Sequence, residues 1–370
     1  MPELTRRELL IALNAAPEVS RGAVYRLAQD PDRWAHGEGP AERLAAEAGV
    51  PRAQMRKALA ILGDAAATAG RETAAAERLG GRLVTLDDPD YPPGLRQLAP
   101  PPPVLCIRGE IPEGPAVAVV GSRKADAYGR QAAELFTRAL AAAGVTVVSG
   151  FARGIDAAAH RSALAAGGWT VAVLGCGLGV DYPKGHGRLG DEIAARGALV
   201  SEFPCGSLPR AWNFPLRNRS LAALSAGTLV VQAALRSGSL ITAHHALDLG
   251  REVWAVPGRI FDEGSLGTNA LIREGAHLAQ HPTDLLETLL PSSAPQLALP
   301  LAPASAAASG PEPPAGFNGQ VLAEIPTGSP RLAEEIAVRL DTPVDKVLGA
   351  LLELELEGWV KRLPGSAYVR

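Results

Sequence analysis

The chain has 370 residues, 47% of them hydrophobic, which predicts two or three domains with a large buried core. A formal net charge of −3 excludes a protein covered by a general basic field, so any nucleic-acid site has to be a local patch. Of the 36 basic residues only five are lysines, but GC-rich coding also produces an arginine excess, and we give that bias no functional weight.

The cysteines and the apolar segments bear on the cellular compartment. Cys106, Cys176 and Cys205 are odd in number and far apart in the sequence, which predicts reduced thiols rather than a disulfide framework or a zinc site. The first residues lack the long apolar region of a signal peptide, and the apolar run Leu221–Leu235 is too short to span a membrane. We therefore expect a cytoplasmic protein that makes no membrane contact.

Residues 1–78 are predicted to form a helical domain. Proline and glycine separate short helical segments at Arg6–Asn14, Ser20–Gln29, Ala41–Ala48 and Arg52–Leu62. Eleven basic and eleven acidic residues balance each other here. A small bundle of the sterile-alpha-motif or helix-hairpin-helix kind fits this pattern, with packing as its expected role and DNA contact as the alternative.

Residues 79–290 alternate between short apolar strands and amphipathic helices. The predicted strands are Arg82–Leu86, Val104–Arg108, Ala116–Val120, Val145–Ser149, Thr170–Leu174, Ala198–Glu202, Thr228–Gln232 and Glu252–Pro257. The predicted helices between them include Tyr128–Ala143, Ile155–Ala166, Asp191–Arg196, Ser220–Ser225 and Ile241–Leu249. This alternation predicts an α/β fold with a doubly wound, Rossmann-like parallel sheet.

The C-terminal part divides into a linker and a small domain. Residues 291–315 are rich in proline, alanine and serine and are predicted to be a linker. Residues 316–370 predict helices at Gly319–Ile325, Pro330–Arg339 and Val344–Glu357, followed by a hairpin that turns at Pro364-Gly365, which is the pattern of a winged helix. Its third helix carries Asp345 and three glutamates against one lysine, so phosphate would be repelled and we expect a protein contact there.

Glycine-rich and basic turns follow the predicted strands of the sheet. These turns are 121–124 (Gly-Ser-Arg-Lys), 149–156 (Ser-Gly-Phe-Ala-Arg-Gly-Ile-Asp), 175–184 (ending Asp-Tyr-Pro-Lys184) and 236–243 (Arg-Ser-Gly-Ser-Leu-Ile-Thr-Ala). Ligands of an open parallel sheet bind at the carboxyl ends of its strands. Glycines let backbone N–H groups approach an anion, and helix N-termini add partial positive charge. One such turn would be ordinary, but their convergence predicts a phosphate-binding edge.

Residues 203–219 strengthen that interpretation. This segment, predicted to be a loop between two buried strands, contains Arg210, Arg217 and Arg219 together with aromatic side chains and no acidic residue. Phosphates and unpaired bases require fixed positive charge and flat stacking faces together. Taken alone, the segment is better explained by core aromatics, Trp212 and Phe214, and solvated arginines, so the rest of the chain has to decide.

Other kinds of site are disfavoured. The strand ends lack both Gly-x-Gly-x-x-Gly and the Walker lysine motif, so we expect neither a nucleotide cofactor nor an ATPase. His160 and the adjacent pair His244-His245 lack the spacing of a metal site, and Asp156 fits a first-turn helix acid better than a catalytic base. We therefore expect no metal ion, no cofactor and no catalytic residue.

Six motifs resemble one known family. They are Val-Val-Gly-Ser-Arg (119–123), Ser-Gly-Phe-Ala-Arg-Gly-Ile-Asp (149–156), Asn-Phe-Pro-Leu-Arg-Asn-Arg (213–219), Ser-Gly-Ser-Leu-Ile-Thr-Ala (237–243), Ala-Val-Pro-Gly (255–258) and Gly-Thr-Asn-Ala-Leu-Ile (267–272). Over residues 81–290 the chain resembles the DNA-processing protein A (DprA/Smf) family. The resemblance implies an extended Rossmann fold, a homodimer, binding and protection of single-stranded DNA, and loading of RecA recombinase during natural transformation.

The candidate DNA-binding residues combine the strand-end turns with positions that match the family motifs. The resemblance implies a phosphate site followed by a basic segment that contacts phosphates and bases. The full set is Gly121, Ser122, Arg123, Ser149, Gly150, Arg153, Gly154, Lys184, Arg210, Asn213, Phe214, Arg217, Asn218 and Arg219. The alternative function is a Rossmann-type enzyme that processes nucleotide phosphates, which an ordered acid–base pair in the pocket would favour. A transcription regulator is disfavoured by the acidic third helix.

Overall fold

The computed structural model describes residues 4–16, 19–29, 41–290, 314, 316–326, 330–363 and 367–369. The predicted linker, apart from residue 314, and the hairpin turn at Pro364-Gly365 lie outside these residues. The chain forms two compact units, Met1–Ala294 and Pro295–Arg370.

In the part of the chain that the structure describes, the first unit begins with five helices, of which the first four were predicted. They are α1 (Arg6–Asn14), α2 (Arg21–Leu27), α3 (Ala41–Ala48), α4 (Arg52–Leu62) and α5 (Ala65–Arg78). Thr5 begins α1 with a capping box, because its hydroxyl accepts from the Glu8 N–H while the Glu8 carboxylate accepts from the Thr5 N–H. Helix α5 was not predicted, since its alanine-rich sequence shows little contrast between its buried and exposed faces.

The N-terminal helices share a hydrophobic core with the sheet that follows. Leu9, Leu13 and Met55 belong to the same buried cluster as Leu83 and Leu174. Surface ion pairs also join the N-terminal helices to the segment after β1. In one of them Arg6 Nε lies 2.7 Å from Asp87 Oδ2. The buried apolar contact is the larger contribution, because exposed ion pairs contribute at most about 1 kcal/mol.

A nine-stranded sheet forms the centre of this unit. Its strands are β1 (Gly81–Thr85), β2 (Val104–Gly109), β3 (Ala116–Gly121), β4 (Thr146–Ser149), β5 (Thr170–Leu174), β6 (Gly197–Ser201), β7 (Gly227–Gln232), β8 (Glu252–Ala255) and β9 (His277–Leu278). Their spatial order is β1-β2-β6-β5-β4-β3-β7-β8-β9. Strands β3 to β9 pair in parallel, whereas β2 pairs antiparallel with both β1 and β6. The predicted α/β fold is confirmed as a mixed, mostly parallel sheet.

Helices cover both faces of the sheet. They are α6 (Pro93–Arg96), α7 (Ala127–Ala142), α8 (Ile155–Ala165), α9 (Gly187–Ala195), α10 (Asn213–Ala223), α11 (Gly238–Asp248), α12 (Leu266–Arg273) and α13 (Thr283–Leu289). Val117 and Val119 pack with Phe136 in one core, while Val120 packs with Leu221 and Ala246 in another. This alternation along β3 is what buries a parallel strand on both faces.

Helix α10 differs from the sequence prediction. Residues 213–219 were predicted to be loop, yet they form its first two turns. Pro215 is compatible with this helix because it is the third helical residue, where a backbone N–H has no intrahelical partner. The helical period turns Asn213, Arg217 and Ser220 toward the interior. Part of the basic segment is therefore buried, which the prediction did not anticipate.

The second unit combines helices with a small three-stranded sheet. It contains α14 (Phe317–Ala323), α15 (Ala333–Arg339), α16 (Val344–Leu356) and a small sheet of β10 (Arg331–Leu332), β11 (Lys361–Leu363) and β12 (Ala367–Val369). Val321, Ile336, Leu351 and Tyr368 share its core. Across the described ranges, no helix has the length and apolar character needed to cross a membrane.

Candidate nucleic-acid interface

The carboxyl ends of the parallel strands form a cleft of about 570 Å³. It is lined by the turn after β3, the first turn of α8, the N-terminal part of α10 and the turn before α11. A larger cleft of about 880 Å³ lies at the opposite edge, near the starts of β3 and β4. There the Arg251 guanidinium donates to the carbonyl oxygens of Ala222 and Ala223, which commits it to the protein. The smaller cleft contains residues of the predicted turns after β3, β4 and β7, whereas the predicted turn at 175–184 does not line it.

Arg123 and Phe214 form a cation–aromatic pair in this cleft. The Arg123 guanidinium carbon lies 4.9 Å from the centroid of the Phe214 ring, and the Arg123 side chain is exposed. Tyr182 contacts the same ring at a centroid distance of 5.7 Å. Gly175 permits this arrangement, because a Cβ atom there would lie 2.7 Å from Phe214 Cε1. Stacking orients the planar guanidinium, whose N–H groups can donate to an oxyanion.

The turns after β3 and β4 are joined through their backbones. The Ser122 carbonyl accepts from the Ile155 N–H at 3.1 Å, and the Ser122 N–H donates to the Gln232 carbonyl at 2.7 Å. Gly154 has φ = +80°, and a Cβ atom there would lie 2.2 Å from the Ser122 carbonyl oxygen. Only glycine fits this position. The contact fixes the backbones that carry Arg123 and Arg153, both of which are exposed.

Two predicted residues of the β4 turn are interior. The hydroxyl of Ser149, which is fully buried, donates to the Val119 carbonyl at 2.6 Å. A Cβ atom on Gly150 would lie 2.0 Å from Arg217 Nη1. These two positions shape the turn, and the hydroxyl of Ser149 is committed to the protein.

Helix α10 buries three more of the predicted residues. The Asn213 amide donates to the Gly175 carbonyl, and the Asn218 amide donates to the Gly238 carbonyl, both at 3.0 Å. The Arg217 guanidinium donates to the Val173 carbonyl at 2.8 Å, and the residue is 3% exposed. These interior hydrogen bonds hold α10 against the C-terminal end of β5 and the first residue of α11.

Arg217 is electrostatically coupled to Asp156. Burial raises the pKa of the Asp156 carboxyl, while the positive charge of Arg217 and a hydrogen bond from the Ala152 N–H oppose that rise. Burial lowers the pKa of Arg217, and the Asp156 carboxylate opposes that change. Asp156 lies in the first turn of α8, as expected for a helix acid, but it also compensates an internal guanidinium.

Arg219 is half-buried and belongs to a different cluster. Burial lowers its pKa, while the nearby Glu202 carboxylate opposes the change. Glu202 is buried, accepts from the Ser220 hydroxyl at 2.6 Å, and lies 2.7 Å from the Arg21 guanidinium of α2. This cluster joins the N-terminal helices to the segment that precedes α10.

The remaining predicted cations reach solvent. Arg153, Lys184 and Arg210 are exposed, as is Lys124. The Arg210 guanidinium lies 5.3 Å from the Trp212 ring, and Trp212 is 61% exposed. Trp212 was not among the predicted site residues, although its sequence neighbour Arg210 was. An exposed cation–aromatic pair at the start of α10 resembles the Arg123–Phe214 pair in chemistry.

The comparisons with known proteins identify the family. The profile described as DNA recombination-mediator protein A matches residues 82–290, and the profile of the DprA winged helix domain matches residues 303–366. The chain belongs to the DNA recombination-mediator protein A family. The resemblance drawn from the six motifs is therefore confirmed.

Relatives of this family cover most of the chain. Protein Smf of Escherichia coli (strain K12) is 42% identical over 307 residues, which are 80% of this chain and 78% of that protein. The X-ray structure of DNA processing protein A from Streptococcus pneumoniae matches with a TM-score of 0.66 at 33% identity, covering 78% of this chain and 99% of that one. A Helicobacter pylori DNA processing protein A, described for its unique single-stranded DNA binding mode, matches with a TM-score of 0.51 at 31% identity, covering 56% and 96% of the two chains.

The histidines and cysteines of this family member have structural surroundings. Burial lowers the pKa of His160 to about 3, and its Nδ1 lies 2.7 Å from Thr170 Oγ1, whose hydroxyl donates to the Val147 carbonyl. Cys106 and Cys205, although distant in sequence, are free thiols in hydrogen-bond contact, with their Sγ atoms 3.6 Å apart. Within the described residues, no group of three histidine, cysteine or acidic side chains could hold a metal ion.

Proposed function

We propose that this protein binds single-stranded DNA with little sequence preference at the carboxyl edge of its sheet, and protects the bound strand. The observation that carries the proposal is the exposed Arg123 guanidinium stacked on Phe214 in the edge cleft. The single-stranded DNA binding described for the Helicobacter pylori relative supports it. We place the protein in the cytoplasm, where its unpaired cysteines would remain reduced.

The exposed groups favour an unpaired strand over a duplex. Aromatic faces stack on any base, at about 1–3 kcal/mol per base, and bases are available for stacking only when they are unpaired. Trp212, which is 61% exposed, is such a face, and exposed cations such as Arg210 and Arg123 can follow the phosphates without reading base edges. Low sequence preference follows from this chemistry.

Fluorescence anisotropy with labelled oligo-dT and a matched duplex, across a salt series, tests this proposal. Five phosphate contacts from Arg123, Lys124, Arg153, Lys184 and Arg210 would give a slope of log K against log salt of about −3.5. We expect the single strand to bind at least tenfold more tightly than the duplex. Equal affinity for both would contradict the stacking contribution, and a slope near zero would contradict the phosphate contacts.

A binding role is proposed in preference to catalysis. Among the described residues, Asp156 is the single acidic side chain that lines the cleft, and it is buried and compensates Arg217. Acid–base chemistry requires two groups whose environments separate their pKa values and that both reach the substrate. The alternative, a nucleotide-phosphate-processing enzyme, predicts turnover of nucleoside phosphates, which chromatography of a prolonged incubation would detect.

The winged-helix unit is proposed to contribute little to single-strand affinity. Residues 316–370 carry six basic and eight acidic residues. On α16, Asp345 and Glu353 are exposed, so phosphate would be repelled from this helix. A chain ending at residue 290 should keep its oligo-dT affinity within about threefold, because such surface charges act weakly at physiological salt. A loss of binding in the shortened protein would move the site away from the sheet edge.

Loading of RecA recombinase by a homodimer is the finer part of the proposal. It rests on membership of a family described as recombination mediators. On single-stranded DNA already coated with a single-strand-binding protein, we expect the protein to shorten the lag before RecA hydrolyses ATP. Light scattering should give about twice the 38.3 kDa of one chain. An unchanged lag would contradict loading, and a single-chain mass at micromolar concentration would contradict the dimer.

A further inference from the structure

The turn after β8 displays two apolar side chains to solvent. The Asp262 N–H donates to the Arg259 carbonyl at 3.1 Å, which closes a four-residue turn. Its two central residues are Ile260, 72% exposed, and Phe261, 95% exposed. Turn centres favour glycine, asparagine, aspartate and proline, so an isoleucine and a phenylalanine here are not explained by turn formation.

Hydrogen bonds on both sides hold this turn in place. The Asn269 side chain accepts from the Gly258 N–H and donates to the Gly258 carbonyl, both at 3.1 Å. On the other side, the Asp262 carboxylate accepts from the Gly264 N–H at 2.9 Å and from the Ser265 hydroxyl at 3.0 Å. Phe261 is therefore presented on a fixed backbone, which limits the entropy lost when its ring binds a partner.

The turn adjoins the candidate DNA-binding edge. The Tyr128 hydroxyl donates to the Pro257 carbonyl at 2.7 Å, and Tyr128 belongs to the helix that follows the Arg123 turn. Strand β7 alone separates β8 from β3. At about 4.8 Å between neighbouring strands, the start of this turn lies about 10 Å along the edge from the end of β3. Arg236, in the segment that follows β7, is exposed.

We propose that Phe261 stacks on an unpaired base and extends the path of single-stranded DNA from the Arg123–Phe214 pair across the end of β7. This inference rests on the proposed function. Arg259 is exposed in the same turn and places a cation beside the ring. Single-stranded DNA requires both groups, because its bases stack on aromatic rings while its phosphates pair with cations. An aromatic ring at the tip of a turn suits a base, whereas Ile260 and Phe261 together form a smaller surface than the buried core of a protein interface.

The test compares Phe261→Ala, Phe261→Trp and wild type on oligo-dT of increasing length. Strands long enough to pass from Arg123 to the turn should bind Phe261→Ala about tenfold more weakly, and Phe261→Trp should restore the affinity. Strands that fill only the Arg123 cleft should bind all three proteins equally. Leu135→Ala is the control, because Leu135 is a 53% exposed apolar residue in the middle of α7.

Photocross-linking supplies a direct readout. Oligonucleotides that contain 5-iododeoxyuridine should cross-link to the tryptic peptide 260–273, identified by mass spectrometry. If Arg123→Ala weakens binding while Phe261→Ala does not at any length and the peptide stays unlinked, the inference fails and the proposed function stands. If wild type does not bind oligo-dT, the proposed function itself fails. A lower oligomeric mass for Phe261→Ala with unchanged DNA affinity would assign the turn to contact between copies.

Discussion

Replacing Arg123 by alanine should weaken single-stranded DNA binding by one to two orders of magnitude. The expected loss is about 1.5–3 kcal/mol, the range for a hydrogen bond that involves a charged group. Because Arg123 is exposed and its contact is with the face of Phe214, the thermal midpoint should change little. Anisotropy titrations with oligo-dT and thermal melts of the same preparations measure the two quantities.

Two further variants make the Arg123 result specific. Arg123→Lys keeps the charge but loses the planar fork that stacks on Phe214, so its affinity should be intermediate. Arg138→Ala is the matched control, since Arg138 is an exposed arginine on α7 paired with Glu134. A large fall in the melting temperature of Arg123→Ala, with DNA affinity unchanged, would show that Arg123 is structural.

Replacing Arg217 by alanine should act on stability first. The variant loses the hydrogen bond from the buried guanidinium to the Val173 carbonyl and the largest positive charge that compensates the buried Asp156 carboxyl. Loss of compensation for a buried charge typically costs about 3–5 kcal/mol. For a unit of this size the melting temperature should fall by about 6–20 °C. Any loss of DNA affinity should follow from unfolding or from displacement of α10. Arg188→Ala, whose side chain is 93% exposed, should leave the melting temperature unchanged.

The pH dependence of the Arg217 variant gives a second signature. Asp156 already has a raised pKa in the folded protein, and loss of the Arg217 charge should raise it further. A carboxyl whose pKa is higher in the folded than in the unfolded state binds more protons when folded. The free energy of unfolding therefore falls as the pH rises from the unfolded-state pKa to the folded-state pKa. Urea unfolding should therefore show a larger deficit at pH 8 than at pH 5. A deficit that does not vary with pH would indicate lost packing alone.

Several residues of the candidate DNA-binding edge could be predicted from the sequence, because they lie in turns that follow the predicted strands. The apolar runs identified the parallel strands, and their alternation with helices places their carboxyl ends together. Arg123 and Arg153 directly follow such ends, and both are exposed in the turns as expected. The six motifs between residues 119 and 272 also led to the correct family, because the residues of each motif are contiguous in the sequence.

The sequence did not predict which arginines of residues 203–219 are buried and which are exposed. Their composition did not reveal which arginines point outward, because that depends on where α10 begins and on the strands it packs against. Asn213 as the first helical residue turns Arg217 inward to the Val173 carbonyl, while Arg210 remains outside beside Trp212. Arg219 turns toward Glu202, which the sequence places far from its partner Arg21.

The sequence by itself determined the α/β fold, the winged helix and the family, since each depends on local periodicity or on contiguous motifs. Tertiary structure alone decided which of the basic residues are available to a ligand. It also tied the segment that precedes the Phe261 turn to helix α7, through the hydrogen bond between Tyr128 and Pro257, 129 positions apart. Burial and electrostatic compensation are set by neighbours distant in the chain, so composition cannot separate a phosphate-binding arginine from one that is committed to the interior.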